Sequence, residues 1–241
     1  MDFETPKANA VTTTDNDLSN VLSPMALGTI TFIVLMFYFW LSGLVLPGDD
    51  STFWLSPMRA TGTALTYSAL PAFLLAATIA VNRRTRAAVR QLSDSNSLDP
   101  DAATSILTGE GFSPSPASNA MATVAGLILG YLNVPWDLVL AELGGPLALE
   151  SASLVIGNFV TWFVVAHAVM RRLLISLSIR QAGRWQIKVD LFRLDALLPF
   201  GRVGMLDLLI VVIVMSFSAF QSLDAEIRFD NYRSALLVGI P

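Results

Sequence analysis

The chain has 241 residues, of which 54% are hydrophobic and 14% are charged, and its mean hydropathy is +0.60. Soluble domains carry about 25% charged residues, so this composition excludes a soluble protein with an ordinary surface and indicates that lipid is part of the solvent. The net charge of −4 argues against a nucleic-acid partner, and the absence of cysteine excludes disulfides and thiolate metal sites.

The N-terminal segment, residues 1–24, is polar and predicts a disordered cytoplasmic tail. Lys7 is its only basic residue, so it lacks the basic region that precedes the apolar stretch of a cleaved signal peptide. The apolar stretch at 25–46 therefore predicts a first transmembrane helix that acts as an uncleaved signal anchor. We expect it to stop at Pro47-Gly48.

Four further stretches are apolar and approach the roughly 20 helical residues that cross a bilayer core. They lie at 60–81, 117–134, 151–170 and 204–220. With the first stretch they predict an all-α, polytopic membrane helix bundle of five transmembrane helices, the domain occupying 25–241. The apolar residues 233–241 resemble the first turns of a sixth helix.

Polar segments separate these spans, and 82–116 and 171–203 are predicted cytoplasmic loops. Within the first loop, Asp99-Pro100 favours the start of a short helix that ends near Gly109. Residues 138–143 favour a short interfacial helix on the other side. In the second loop, the alternation from Trp185 to Leu191 indicates a short strand or a segment that lies on anionic headgroups.

The distribution of Lys and Arg predicts the orientation. With the N-terminus inside, 12 of the 15 basic residues lie on the cytoplasmic side, and only Arg59, Arg228 and Arg233 lie outside. Cytoplasmic loops of membrane proteins are enriched in Lys and Arg. The sequence therefore predicts a multi-pass protein of the bacterial inner membrane with a cytoplasmic N-terminus.

His167 is the only histidine and lies near the cytoplasmic end of the fourth predicted span. A histidine there could ligate haem or a chlorophyll-type magnesium, or relay protons. A second axial haem ligand would have to be methionine, and bulky Phe163 occupies the position where antenna proteins carry a small residue. We therefore favour a histidine near the headgroups and predict no cofactor.

Three other residues are candidates, two because polar side chains are uncommon inside membrane helices and one because proline can kink a helix. Asp207, one turn into the fifth span, is an intramembrane carboxylate, whose shallow depth favours a helix cap or an ion pair. Asn158 predicts a hydrogen bond across a helix interface. Pro71 could kink the second helix, although proline is common enough in membrane helices to need no function.

Small residues recur every four positions in the third span, at Ala122, Gly126 and Gly130. This spacing places them on one helix face, where a second helix backbone can approach closely. The spacing predicts tight packing and leaves open whether the partner helix belongs to this chain or to another.

The sequence carries no phosphate-binding loop, HExxH, Gly-x-Ser-x-Gly or kinase signature. The favoured hypothesis is a non-enzymatic accessory, scaffold or sensory-regulatory subunit that packs against other membrane chains or itself within the bilayer. One alternative is an oligomeric transporter or channel, although transporters show more converging polar groups. Another is an electron-transfer or pigment protein that uses His167.

Overall fold

A computed structural model describes residues 23–45, 55–94, 98–109, 112–145, 148–183 and 198–217. Within these ranges every regular element is a helix, and the helices in chain order are α1 (Pro24–Leu41), α2 (Pro57–Asp94), α3 (Pro100–Thr108), α4 (Pro116–Leu132), α5 (Trp136–Glu142), α6 (Ala148–Gly183) and α7 (Leu198–Phe217). Residues 1–22 of the predicted N-terminal tail, the predicted strand from Trp185 to Leu191 and the predicted sixth helix lie outside the described residues.

Four of these helices begin with a serine or an aspartate followed by proline. The Oγ atoms of Ser23, Ser56 and Ser115 and the carboxylate of Asp99 each accept a backbone N–H of the first turn. The proline takes the first helical position, where its missing N–H costs nothing. The short helix predicted from Asp99-Pro100 is confirmed as α3.

The first helix ends earlier than the sequence predicted, at Leu41 instead of 46. Gly43 adopts a φ of +81°, a left-handed conformation that glycine reaches at little cost. Its N–H donates to the carbonyl of Trp40, and the N–H of Leu44 donates to that of Phe39, which is the Schellman arrangement of hydrogen bonds. The predicted stop at Pro47-Gly48 is therefore wrong.

The long helices alternate in direction around α2, which contacts α1, α6 and α7, while α4 packs against α6. The starts of α2 and α6 lie beside the ends of α1 and α4. We call this the acidic end, after Asp137, Glu142 and Glu150. The opposite end, which we call the basic end, holds the ends of α2 and α6 and the starts of α4 and α7. Its described arginines are Arg83, Arg84, Arg86, Arg90, Arg171, Arg172, Arg180 and Arg202.

Two helices continue beyond the predicted spans at the basic end. α2 has 38 residues and α6 has 36, whereas about 20 suffice for a bilayer core. The sequence predicted loops directly after 81 and 170, and this prediction is wrong for 82–94 and 171–183, which are helical. The physical reason is that Val89, Leu92 and Ile175 on these extensions are buried against α3.

The extensions and α3 enclose a small hydrophobic core at the basic end, which we call the basic-end cluster. Its buried members come from α2, α3, α6 and the residues that flank α3, and they are Val89, Leu92, Leu98, Ala102, Ala103, Ile106, Phe112 and Ile175. The guanidinium of Arg86 lies 5.1 Å from the centre of the Phe112 ring, a cation–π contact. The cluster therefore holds the ends of α2 and α6 together.

Three helices, α1, α2 and α6, are long and apolar enough to cross a membrane. The pair α4 and α5, whose axes differ by 76° across a short break, adds a fourth candidate if it forms one span. α7 covers 204–217 of the fifth predicted span, and 218–220 lie outside the described residues. The chain is thus all-helical in its described part, with three to four candidate spans.

Candidate functional site

The small residues of α4 face α6 of the same chain. A Cβ atom on Gly126 would lie 2.8 Å from the Cα of Phe163, and one on Gly130 would lie 2.6 Å from Cδ1 of Phe159. Both distances are shorter than non-bonded carbon atoms tolerate, so the two helices touch through glycine. Ala122 is buried on the same face, and the strip is therefore occupied within the chain.

Asn158 joins the same two helices by a hydrogen bond. Its Nδ2 donates to the carbonyl oxygen of Gly130 at 2.7 Å, and the residue is only 5% exposed. Its Oδ1 accepts no hydrogen bond from the described residues. The amide is thus fixed on one side, while its oxygen remains available to a ligand or to water.

His167 is half-buried and contacts α4. Its Nδ1 lies 2.9 Å from the carbonyl oxygen of Phe163, and its Nε2 lies 3.5 Å from Oγ1 of Thr123. Because a carbonyl can only accept, Nδ1 carries the proton and Nε2 accepts from the threonine. The ring is further stacked against Phe163, with the centroids 4.2 Å apart.

We predict that His167→Gln inserts normally and keeps its thermal stability within about 1 kcal/mol, because a glutamine amide can make both contacts. Thermal melting and absorbance spectra of the parent and the variant, each purified in mild detergent, check this prediction. A visible band in the parent that disappears in the variant would show that His167 ligates a chromophore and would contradict the packing role.

Asp207 forms an ion pair between α6 and α7. The Nη2 atom of Arg172 donates to both carboxylate oxygens of Asp207. The sequence indicated an ion pair or a cap here, and the structure shows an ion pair whose partner lies 35 positions earlier in the chain. The Nη1 atom of Arg172 is buried without a hydrogen-bond partner among the described residues.

This ion pair lies at the wall of a groove of about 520 Å³ between α2, α6 and α7. Arg172 and Asp207 are the charged residues of its lining, and aliphatic side chains make up most of the rest. The lining of the groove is therefore mostly hydrocarbon and contains one fixed ion pair.

Pro71 lies within α2 and is buried, and the helix continues on both sides of it from Pro57 to Asp94. The hydroxyl groups of Thr66 and Ser68 donate to carbonyls four residues earlier in the same helix. These polar groups are therefore satisfied within α2. Gating by a kink at Pro71 stays a hypothesis.

The acidic end holds a second cavity, of about 320 Å³, which sequence reasoning missed. It lies between α2, the bend from α4 to α5, and α6, and its polar lining residues are Arg59, Thr63, Tyr67, Asn133 and Asn158. The signal was present in the sequence, since Arg59, Thr63 and Tyr67 recur every four positions and share one face of α2.

No cluster of three or more His, Asp or Glu side chains suited to a metal ion occurs in the described ranges. Comparison of the chain with known protein families, with curated proteins and with solved structures gives no match.

Proposed function

We propose that this chain is a five-span protein of the bacterial inner membrane with its N-terminus in the cytoplasm, and that it acts as a non-enzymatic accessory or sensory-regulatory subunit. The distribution of Lys and Arg supports the orientation. The alternating directions of α1, α2, α4, α6 and α7 support five spans, because each predicted crossing reverses the chain.

The observation that carries the functional proposal is the continuity of α2 and α6. Each runs without interruption from the acidic end to the basic-end cluster. Coupling between distant sites is carried by rigid elements and packed side chains. Two such helices, joined to α3 by one small core, suit a module that relays a change at one membrane face to a partner at the other.

α3 offers the surface that a cytoplasmic partner would contact. Its inner face, with Ala102, Ala103 and Ile106, is buried in the basic-end cluster. The opposite face carries exposed polar side chains at Asp101, Thr104, Ser105 and Thr108. We propose that this exposed face, held in place by the cluster, is the contact surface for another protein chain.

Displacing α3 tests the proposal. Ile106→Asp places an unpaired carboxylate in the basic-end cluster, where burial of a charge is strongly unfavourable, and should release α3 from α2 and α6. We expect a stoichiometric partner that co-purifies with the parent in mild detergent to be lost, while membrane insertion is retained.

The matched control is Gln91→Asp, which adds the same charge at an exposed position of α2 next to the buried Leu92, outside α3, and should leave the fold and the partner in place. A parent that purifies without any stoichiometric chain, or an Ile106→Asp variant that keeps its partner, would contradict the accessory function.

The orientation is tested by single cysteines, since the chain has none of its own. Gly144→Cys at the acidic end and Ser105→Cys at the basic end replace exposed residues. In intact cells an impermeant maleimide should label Gly144→Cys alone, and Ser105→Cys should react only after the membrane is opened. The reverse result would invert the proposed topology.

A transporter or channel is the second candidate, and the bend of 76° between α4 and α5 favours it. Transporters build their binding sites where membrane helices are interrupted, and the polar cavity lies at this bend. Solute or ion flux through liposomes that contain the purified chain would favour this alternative.

A further inference from the structure

The cavity at the acidic end is lined by three separate parts of the chain. Arg59, Thr63 and Tyr67 come from α2, Asn133 from the bend between α4 and α5, and Asn158 from α6. Its volume of about 320 Å³ lies at the lower end of the range found for small-molecule sites, about 300–1,000 Å³. The cavity therefore suits a compact molecule rather than a whole lipid.

The charges around the cavity favour an uncharged occupant. Arg59 already has an interaction partner, and the same end of the fold carries the carboxylates of Asp137, Glu142 and Glu150, which oppose the binding of an anion. The described lining residues include no carboxylate, so a bound cation would lack a counter-charge. Because burial of an unpaired charge is strongly unfavourable, a neutral molecule is favoured.

Two of the polar lining side chains already use their donors within the protein. The hydroxyl of Thr63 donates to the carbonyl of Arg59 at 2.8 Å. The amide nitrogen of Asn133 donates to the carbonyl of Leu129 at 2.8 Å, and because this asparagine is exposed, water can reach its oxygen. Recognition of a neutral ligand therefore depends on the two remaining uncharged polar side chains, one from α2 and one from α6.

Tyr67, on α2, is held rigidly at the cavity wall. The centre of its ring lies 6.4 Å from that of the Phe39 ring, and its Cδ2 would lie only 2.7 Å from a Cβ atom on Gly157. Among the described residues its hydroxyl has no hydrogen-bond partner. A tyrosine hydroxyl that is shielded from water normally finds one, so this O–H is available to donate to a bound molecule.

Asn158, on α6, supplies the second fixed polar group. Its amide nitrogen donates to the carbonyl of Gly130 at 2.7 Å, and this bond determines which way the amide is turned. The residue is almost fully buried and lines the cavity. Its oxygen lacks a partner in the described part of the chain, and an amide oxygen can only accept a hydrogen bond.

These two groups together define the hydrogen bonds that a ligand must make. It has to accept from the hydroxyl of Tyr67 and to donate to the oxygen of Asn158. The two groups come from different helices and do not bond to each other, so a ligand whose donor and acceptor lie on separate atoms matches them. A carboxamide has this arrangement, whereas a carboxylate or a ketone has no hydrogen to donate.

The rest of the cavity wall is aliphatic and favours a ligand over water. Leu138 and Val139 of α5 and Leu154 and Val155 of α6 belong to this part of the lining. A water molecule against such side chains finds none of the two to four polar partners that hold an ordered water. Displacement of poorly ordered water by an apolar group increases the affinity of a ligand.

We propose that this cavity is a binding site for a small, uncharged carboxamide with a short apolar portion. The carbonyl oxygen of the ligand accepts from the hydroxyl of Tyr67, and its N–H donates to Oδ1 of Asn158. The apolar portion lies against the aliphatic side chains of α5 and α6. The site does not depend on the accessory function, because its binding is measured on the isolated chain and needs no partner.

Titration of the purified chain with hexanamide tests the proposal, with 2-heptanone as the matched probe. The ketone has the same shape and carbonyl group, but a methyl group replaces the NH₂. Saturation-transfer NMR in a maltoside detergent detects weak ligands, and empty micelles correct for partitioning. Hexanamide should bind saturably, and 2-heptanone should bind about tenfold more weakly, because it leaves the buried Asn158 oxygen without a partner.

Two charged probes of the same chain length test the assignment of a neutral ligand. Hexanoate and hexylammonium should each bind at least about tenfold more weakly than hexanamide, because the cavity offers neither ion a counter-charge. Binding of either ion as tightly as hexanamide would contradict the assignment.

Two variants assign the contacts. Tyr67→Phe removes only the hydroxyl and should weaken the binding of both hexanamide and 2-heptanone about tenfold, whereas the control Tyr38→Phe, on α1 and outside the cavity lining, should change neither. Asn158→Leu should weaken hexanamide alone, so that the preference for the amide over the ketone is lost. Melting curves without ligand check that each variant is folded.

Three further results would overturn the proposal, whatever the outcome of the partner experiment. Absence of saturable hexanamide binding would mean that the cavity holds only water. Equal affinity for 2-heptanone would mean that the Asn158 oxygen makes no contact with the ligand. Full hexanamide binding by the folded Tyr67→Phe variant would place the ligand elsewhere, and this test does not require the Asn158→Leu variant to fold.

Discussion

Replacing Gly126 by leucine is expected to separate α4 from α6 and to lower the free energy of unfolding by about 3 kcal/mol. The new Cβ would lie 2.8 Å from the Cα of Phe163, and a backbone atom cannot rotate away as a side chain can. The helices must therefore move apart, which also weakens the hydrogen bond from Asn158 to Gly130. Melting in detergent should shift down by about 10 °C.

The matched control is Gly204→Leu, the same substitution in another apolar helix. A Cβ atom on Gly204 would meet none of the described residues within 4 Å, so this variant should melt within a few degrees of the parent. If both leucine variants melt alike, the contact of α4 with α6 does not depend on glycine.

Breaking the ion pair between Arg172 and Asp207 is the second change with a large expected effect. Removal of one partner from a fully buried pair costs about 3–5 kcal/mol, and removal from an exposed pair costs about 0–1 kcal/mol. The two side chains are 24% and 42% exposed, so we expect Arg172→Ala or Asp207→Ala each to cost about 2 kcal/mol. Thermal melting at low and high salt measures this cost.

The double variant Arg172→Ala/Asp207→Ala should be less destabilised than the sum of the singles, because it leaves no unpaired charge. The exchanged pair Arg172→Asp/Asp207→Arg should recover part of the stability. Additive single effects would mean that the two charges are solvated separately and that the pair does not hold α7 against α6.

The composition of the chain predicted helices that are long and apolar enough to cross a membrane, because hydropathy and the scarcity of charge are properties of the sequence alone. Local chemistry also specified where several helices begin. Serine or aspartate before proline caps a helix whatever surrounds it, and the start of α3 at Asp99-Pro100 was predicted on this basis. The same signal stands at Ser23-Pro24, Ser56-Pro57 and Ser115-Pro116.

The ends of α2 and α6 and the partners of the polar residues were decided only by the tertiary structure. α2 and α6 continue past their predicted ends because Val89, Leu92 and Ile175 are buried against α3, a contact between segments far apart in the chain. For the same reason Asp207 pairs with Arg172 rather than with the nearby Arg202. The spacing of the small residues placed the α4 glycines on one helix face. Only the packed structure shows that this face packs against α6. The local sequence determines which side chains a helix can bury or pair. The fold determines which of the available partners each side chain contacts.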